Sequence, residues 1–168
     1  MNEVALLYDA LNDYLAAHTN YPGWQKAIYP TRETAEQAVA ASNLFVFRKQ
    51  GRIIGAVILN HEPEAAYSLA DWQIHLDYKD IFVVRTFAVH PDFLTMGIGK
   101  QMMRSIISYS RQMEIKALRL DVYEENIPAK NLYRAFEFQY IAAVDLGYSA
   151  YGLDQFELYQ KLLSNSFE

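Results

Sequence analysis

The chain has 168 residues, a net charge of −5 and an isoelectric point near 5.4. Its 52% hydrophobic and 21% charged residues exclude the disordered class and allow one sizeable core in one domain over residues 1–168. The acidic balance argues against a nucleic-acid or anionic-membrane binder, and the absence of Cys excludes disulfides, a thiol nucleophile and thiolate-held zinc.

Residues 3–17 read as a helix, with Leu7, Leu11, Tyr14 and Leu15 at helical spacing and Asn2 as its cap. Asn20-Tyr21-Pro22-Gly23 breaks it, and Pro30-Thr31 opens a second helix to about Ser42, capped by Thr31. Leu44–Arg48 and Ile53–Asn60 are strands joined by a turn at Lys49-Gln50-Gly51-Arg52. Residues 61–79 give no clear signal. Ile81–Val89 is the strongest strand and ends at His90-Pro91. Gly97 to about Met113 is an amphipathic helix, with Ile98, Met102, Ile106, Tyr109 and Met113 on one face. Ala117–Val122 alternates as a strand, Pro128–Phe136 is a short helix, and Phe138–Leu146 and Phe156–Leu162 close an antiparallel pair. The order α-α-β-β-β-α-β-α-β-β indicates a mixed α+β fold, a sheet flanked by helices.

Two segments carry chemistry. In Phe87-Ala88-Val89-His90-Pro91-Asp92-Phe93-Leu94-Thr95-Met96-Gly97-Ile98-Gly99-Lys100, a strand ends and a helix begins across two glycines. A helix N-terminus offers unpaired N–H groups and partial positive charge, and glycine lets the backbone approach an anion closely. A Walker loop fails here, because Leu94 stands where its first Gly belongs and Gln101 follows the Lys; a dinucleotide fingerprint fails at Met102. In the second segment, Asn126 lies between a strand and a helix on which Ala129 and Tyr133 share a face. Read alone, Asn126 is a helix cap and Tyr133 a core aromatic.

Together the two segments resemble the GNAT-family N-acetyltransferases over roughly residues 44–162. The family pattern Q/R-x-x-G-x-G/A is met by Gly97 and Gly99 but not by Leu94; N-x-x-A-x-x-x-Y is met by Asn126, Ala129 and Tyr133; and the later Gly-Phe pair by Phe138 but not Glu137. The resemblance implies a mostly antiparallel sheet of about six strands, with the family's usual first strand absent or very short. It implies transfer of acetyl from acetyl-CoA to a primary amine of a small molecule or peptide. Main chain of Phe87, Ala88 and Val89 would face the pantetheine, Leu94, Thr95, Met96, Gly97, Ile98, Gly99 and Lys100 would hold the diphosphate, and Asn126 and Ala129 would flank the other side. Tyr133 is the expected general acid, its pKa lowered by a nearby helix N-terminus. Trp24, Tyr29, Tyr123 and Glu124 are expected to meet the acceptor. Asp121, Glu124, Glu125, His75 and His90 stay open as the base. A non-catalytic coenzyme A sensor or scaffold is the competing reading, motivated by Leu94 and Glu137; a nucleotide-phosphate enzyme is a third.

The four His show no metal-binding spacing, so no metal is expected. No apolar run approaches the ~20 residues of a membrane span, and the acidic start is not signal-like, which points to a cytoplasmic protein without a membrane partner. Dimerisation stays open.

Overall fold

The computed structural model describes residues 2–163, with the elements in the expected order. Helix α1 spans Asn2–Ala17 and buries Val4, Leu7, Tyr8, Leu11 and Leu15 along one stripe. Asn2 is not its cap. It sits in the first turn and its Oδ1 accepts from Arg32 Nη1 at 2.8 Å, tying α1 to the next helix, so the cap position falls outside the described residues. Helix α2, Arg32–Ala40, starts where expected: Thr31 Oγ1 accepts from Thr34 N–H, and Thr34 Oγ1 accepts from Thr31 N–H in return. Strands β1 (Leu44–Lys49) and β2 (Arg52–Asn60) form a hairpin whose two turn residues, Gln50 and Gly51, both have positive φ (50° and 80°). That geometry matches the twist of the flanking strands.

Strand β3 (Ile81–Val89), helix α3 (Ile98–Gln112), strand β4 (Ala117–Tyr123), helix α4 (Ile127–Ala135) and strands β5 (Gln139–Val144) and β6 (Phe156–Leu162) complete the fold. The sheet order is β1-β2-β3-β4-β6-β5, antiparallel throughout except for β3 and β4. No strand precedes α1 among the described residues, which leaves β1 at the sheet edge. Helices α3 and α4 cover one face, where Met103, Ile106, Ile107 and Tyr133 pack on Val57, Phe82, Val84, Leu118 and Leu120. Helix α1 covers Ile53, Ala56 and Ala88 on the other face.

The connection 61–80, silent in sequence, holds only two short 3₁₀ turns, Ala65–Leu69 and Tyr78–Asp80. Tertiary contacts order it. Arg119 on β4 is buried, donates through Nε to Gln160 Oε1 at 2.8 Å, and lies 4.1 Å from the Trp72 ring centroid. Gln160 Nε2 donates in turn to the Trp72 carbonyl at 3.1 Å, and Trp72 Nε1 to the Tyr67 carbonyl at 2.8 Å. A buried guanidinium needs its donors occupied or its charge spread over ring faces; here Nε and Nη1 donate to Gln160 and Tyr78, and the Trp72 and Tyr78 rings lie against the group.

Candidate functional site

Strands β3 and β4 pair over only three positions, Ile81–Val83 against Ala117–Arg119. Beyond them the strands diverge, and the β4-facing main chain of residues 84–89 is left without a strand partner. A bulge accompanies the divergence. Between the β2 pairs Ala56↔Ala88 and Ile58↔Arg85, β3 uses one residue more than β2. Thr86 in this bulge has φ 49°. A β-branched residue in the left-handed region is a true outlier costing about 1–3 kcal/mol, and it persists only where its surroundings hold it. Thr86 is buried, and its Oγ1 shares a hydrogen bond with the Tyr29 hydroxyl.

At the end of β3 the chain makes a 3₁₀ turn over Pro91–Phe93 and swings into α3. His90 braces this turn. Its Nδ1 accepts from Asp92 N–H at 3.2 Å, and Arg52 Nη2 lies 3.0 Å from its Nε2. Burial, then the Arg52 charge, hold its pKa below the ordinary value. One ring nitrogen of His90 is thus spent on the turn, and Nε2, left carrying the ring proton, faces the Arg52 guanidinium without a hydrogen bond to it. Thr95 and Gly97 have φ 62° and 77°, and Gly97 is the α3 cap. Leu94 N–H donates to Pro91 O and Gln101 N–H to Gly97 O, but the N–H groups of residues 95–100 have no main-chain acceptor among the described residues. Six donors at a helix N-terminus are an anion cradle. A Cβ at Gly99 would sit 3.5 Å from Leu132 Cδ2 and 3.8 Å from Phe87 Cε1, ordinary contacts at the point where α3, α4 and β3 converge. Gly97 has open space but needs its positive φ. Gly97→Ala is therefore expected to lose about 1 kcal/mol, a fall in Tm of about 2–4 °C, while Gly99→Ala stays near wild type in thermal denaturation.

Beside the mouth of this divergence lies a set of charged groups. Asp121 on β4 is half-buried, and Tyr67 donates to its Oδ2 at 2.6 Å. Arg85 on β3 pairs through Nη1 with Glu64 and donates through Nη2 to Glu62 O at 2.7 Å. Burial pushes the Asp121 pKa up; the Tyr67 hydrogen bond and the Arg85 charge oppose this, and Glu64 adds to the rise. Tyr133 enters from α4, buried, with its ring 5.6 Å from Phe138 and 6.3 Å from Tyr159. Its hydroxyl has no hydrogen-bond partner among the described residues. The expected lowering of its pKa is corrected: burial, then the nearby Asp121 charge, push it well above the ordinary phenol value. The phenol keeps its proton at every physiological pH. Tyr29 and Tyr148 are also raised, by burial first, and both feel the Asp121 charge, which puts them around the same mouth.

Of the other expected site residues, Phe87, Ala88 and Val89 lie on the open edge and residues 95–100 supply the unpaired amides, whereas the Leu94 N–H is spent on Pro91 O. Asn126 caps α4, its Oδ1 accepting from Ala129 N–H at 3.3 Å, and Ala129 is half-buried beside it. Trp24 meets Tyr29 edge-on at 5.8 Å and packs toward the α1 core. Tyr123 lies two residues beyond Asp121, hence on the same face of β4, with its ring 5.8 Å from Phe156. Glu124 follows at the strand end, its N–H donating to Gln155 O. Glu137 adopts φ 62°, so the turn into β5 keeps a glycine-like backbone without glycine. Arg85, Glu64, Tyr67 and Tyr148 went unread in the sequence. The available signal was a charge inside an apolar strand: Arg85 in IFVVRTFAV and Asp121 in ALRLDV.

Solved structures share this architecture. A ribosomal-protein-alanine N-acetyltransferase from Brucella melitensis superposes with a TM-score of 0.69 at 16% identity, over 96% of this chain and 94% of that one. An N-acetyltransferase from Staphylococcus aureus Mu50 gives 0.68 at 17% identity, over 97% and 93%. The yncA protein of Salmonella typhimurium, solved with its cofactor acetyl-CoA, gives 0.65 at 15% identity, over 99% and 92%. No curated protein matches the sequence. The sequence profile of the Acetyltransferase (GNAT) family, however, matches residues 7–138, most of the chain including the amide cradle, the diverging strands and Tyr133, and the protein belongs to that family.

Proposed function

We propose that the protein transfers an acetyl group from acetyl-CoA directly to a primary amine. The observation that carries this reading is the parting of β3 from β4 beside six unpaired amides. The open strand edge suits an extended amide-bearing arm, and the cradle of residues 95–100 suits a diphosphate. Acetyl-CoA supplies an activated acetyl group, whose bond to sulfur breaks as the bond to nitrogen forms. The Val89 N–H is the proposed oxyanion donor that polarises the carbonyl.

The acceptor arrives charged. An alkyl amine with pKa near ~10.4 is neutral in fewer than about one in a thousand molecules at pH 7. Asp121 is the proposed proton acceptor: it is the one carboxylate of the mouth without a cationic hydrogen-bond partner, since Arg85 is committed to Glu64. Each unit by which burial lifts its pKa lowers the cost of taking the ammonium proton by about 1.4 kcal/mol. Tyr133 is the proposed donor at sulfur. With Asp121 and Glu64 against Arg85, the mouth carries one net negative charge, which favours an amine entering as a cation.

The test is to mix the protein, acetyl-CoA and a panel of small amines and peptides, and to follow free thiol. Thiol release that requires one class of amine is the expected result. Binding of acetyl-CoA without turnover on a broad panel would replace this reading with a coenzyme sensor.

A further inference from the structure

The bulge in β3 is held from outside the sheet. Thr86 cannot keep its left-handed backbone by its own preference. Its neighbours on β2 pair normally on either side and do not explain the extra residue. Among the described residues, the one polar contact of its buried side chain is the Tyr29 hydroxyl, 57 residues earlier in the chain. Tyr29 is itself held firmly. Its N–H donates to Gln25 O at 2.9 Å, its carbonyl accepts from Gln25 N–H at 3.2 Å, and Trp24 meets its ring edge-on. Asn12 of α1 donates to the carbonyls of both Tyr29 and Pro30. The connection between α1 and α2 is thus fastened at Tyr29 both to α1, through the main chain, and to the β3 bulge, through the side chain.

We infer that Tyr29 is a positioning residue for the coenzyme edge of β3: its hydroxyl latches Thr86 in the bulge, and the bulge turns the main chain of Phe87–Val89 away from β4. This rests on the acetyl-CoA reading above and differs from an acceptor-binding role for Tyr29, because the hydroxyl is spent inside the protein. Without the bond, Thr86 Oγ1 is buried and unpaired, and the residue gains by returning to negative φ. The bulge then smooths out, and the strand edge that should face the coenzyme is misaligned.

The test uses the full chain, calorimetric titration with coenzyme A, and hydrogen exchange of the amides at 86–89. Tyr29→Phe should weaken coenzyme A binding about three- to tenfold, the range for one ordinary hydrogen bond, and raise KM for acetyl-CoA more than KM for the amine. It should also speed exchange at 86–89 in the free protein. Thr86→Val, which removes the same bond from the other side, should reproduce the loss, and Tyr29→Phe with Thr86→Val should be no worse than either alone. Thr86→Gly in the Tyr29→Phe background should restore binding, because glycine takes positive φ without strain. Unchanged coenzyme affinity with only the amine KM raised, or additive losses in the double variant, would overturn the latch. Wild-type protein that fails to bind coenzyme A would instead sink the functional reading, while exchange at 86–89 in the variants still decides whether the latch exists.

Discussion

Replacing Tyr133 with Phe is expected to slow single-turnover acetyl transfer by about 10²–10⁴-fold, the usual worth of a positioned proton donor, with little change in coenzyme A affinity. Stability should hardly move, because the hydroxyl has no partner among the described residues and the ring contacts with Phe138 and Tyr159 survive in Phe. At ordinary values, a phenol near ~10 and a thiol near ~8.5, full proton transfer to the leaving sulfur is uphill by about 2 kcal/mol. Burial makes Tyr133 a still weaker acid, so its useful form is the protonated phenol donating a hydrogen bond as charge builds on sulfur. That account has a second consequence. A thioester with a more acidic thiol needs less help, and should lose less in Tyr133→Phe than acetyl-CoA does. Equal turnover by Tyr133→Phe and wild type would remove the phenol from the chemistry.

Asp121→Asn should produce a loss of similar size, about 10²–10⁴-fold in kcat, and should also abolish the acidic limb of the kcat–pH profile. The sign of that limb follows from the site. Asp121 must be charged to accept a proton, and burial lifts its pKa above the ordinary carboxylate value, so activity falls as pH drops through that raised value. Tyr67 donates a hydrogen bond that favours the charged form. Tyr67→Phe should therefore move the limb to higher pH while retaining activity above it, a response that simple loss of packing would not produce. Stability runs the other way. A folded pKa above the unfolded one gives a contribution present at low pH and lost as pH rises through the folded value. Asparagine carries no such loss, so Asp121→Asn should melt no lower than wild type at pH 8 despite its slow chemistry. A kcat–pH profile that keeps its limb in Asp121→Asn would assign the base elsewhere.

Much of the frame was legible because it is local. Ile81–Val89 and Phe156–Leu162 match the observed strands residue for residue, since β-branched and aromatic runs bounded by turns leave few alternatives. The α3 entry was readable from Gly97, whose positive φ few other residues accept. Met113, expected on the buried face of that helix, is exposed because the helix ends one residue earlier. What stayed hidden depends on distant partners. The path of residues 61–80 is set by Arg119 and Gln160, far along the chain, and at the mouth Glu64 is held by Arg85 and Tyr67 by Asp121. Thr86 gave no warning, because its residue type argues against the conformation it adopts. The direction of the Tyr133 pKa depends on burial and on Asp121, neither of which a motif displays.

The narrow join between β3 and β4 divides the sheet into two leaves, β1-β2-β3 and β4-β6-β5, sewn along a seam of three residue pairs. Each leaf has longer ladders of its own, so the seam is where backbone pairing between strands is thinnest. An extended guest lodged in the gap would lengthen that seam as an additional stitch. Side chains, not backbone bonds, hold the two leaves together: Phe82 and Val84 on one and Leu118 and Leu120 on the other share a single buried cluster.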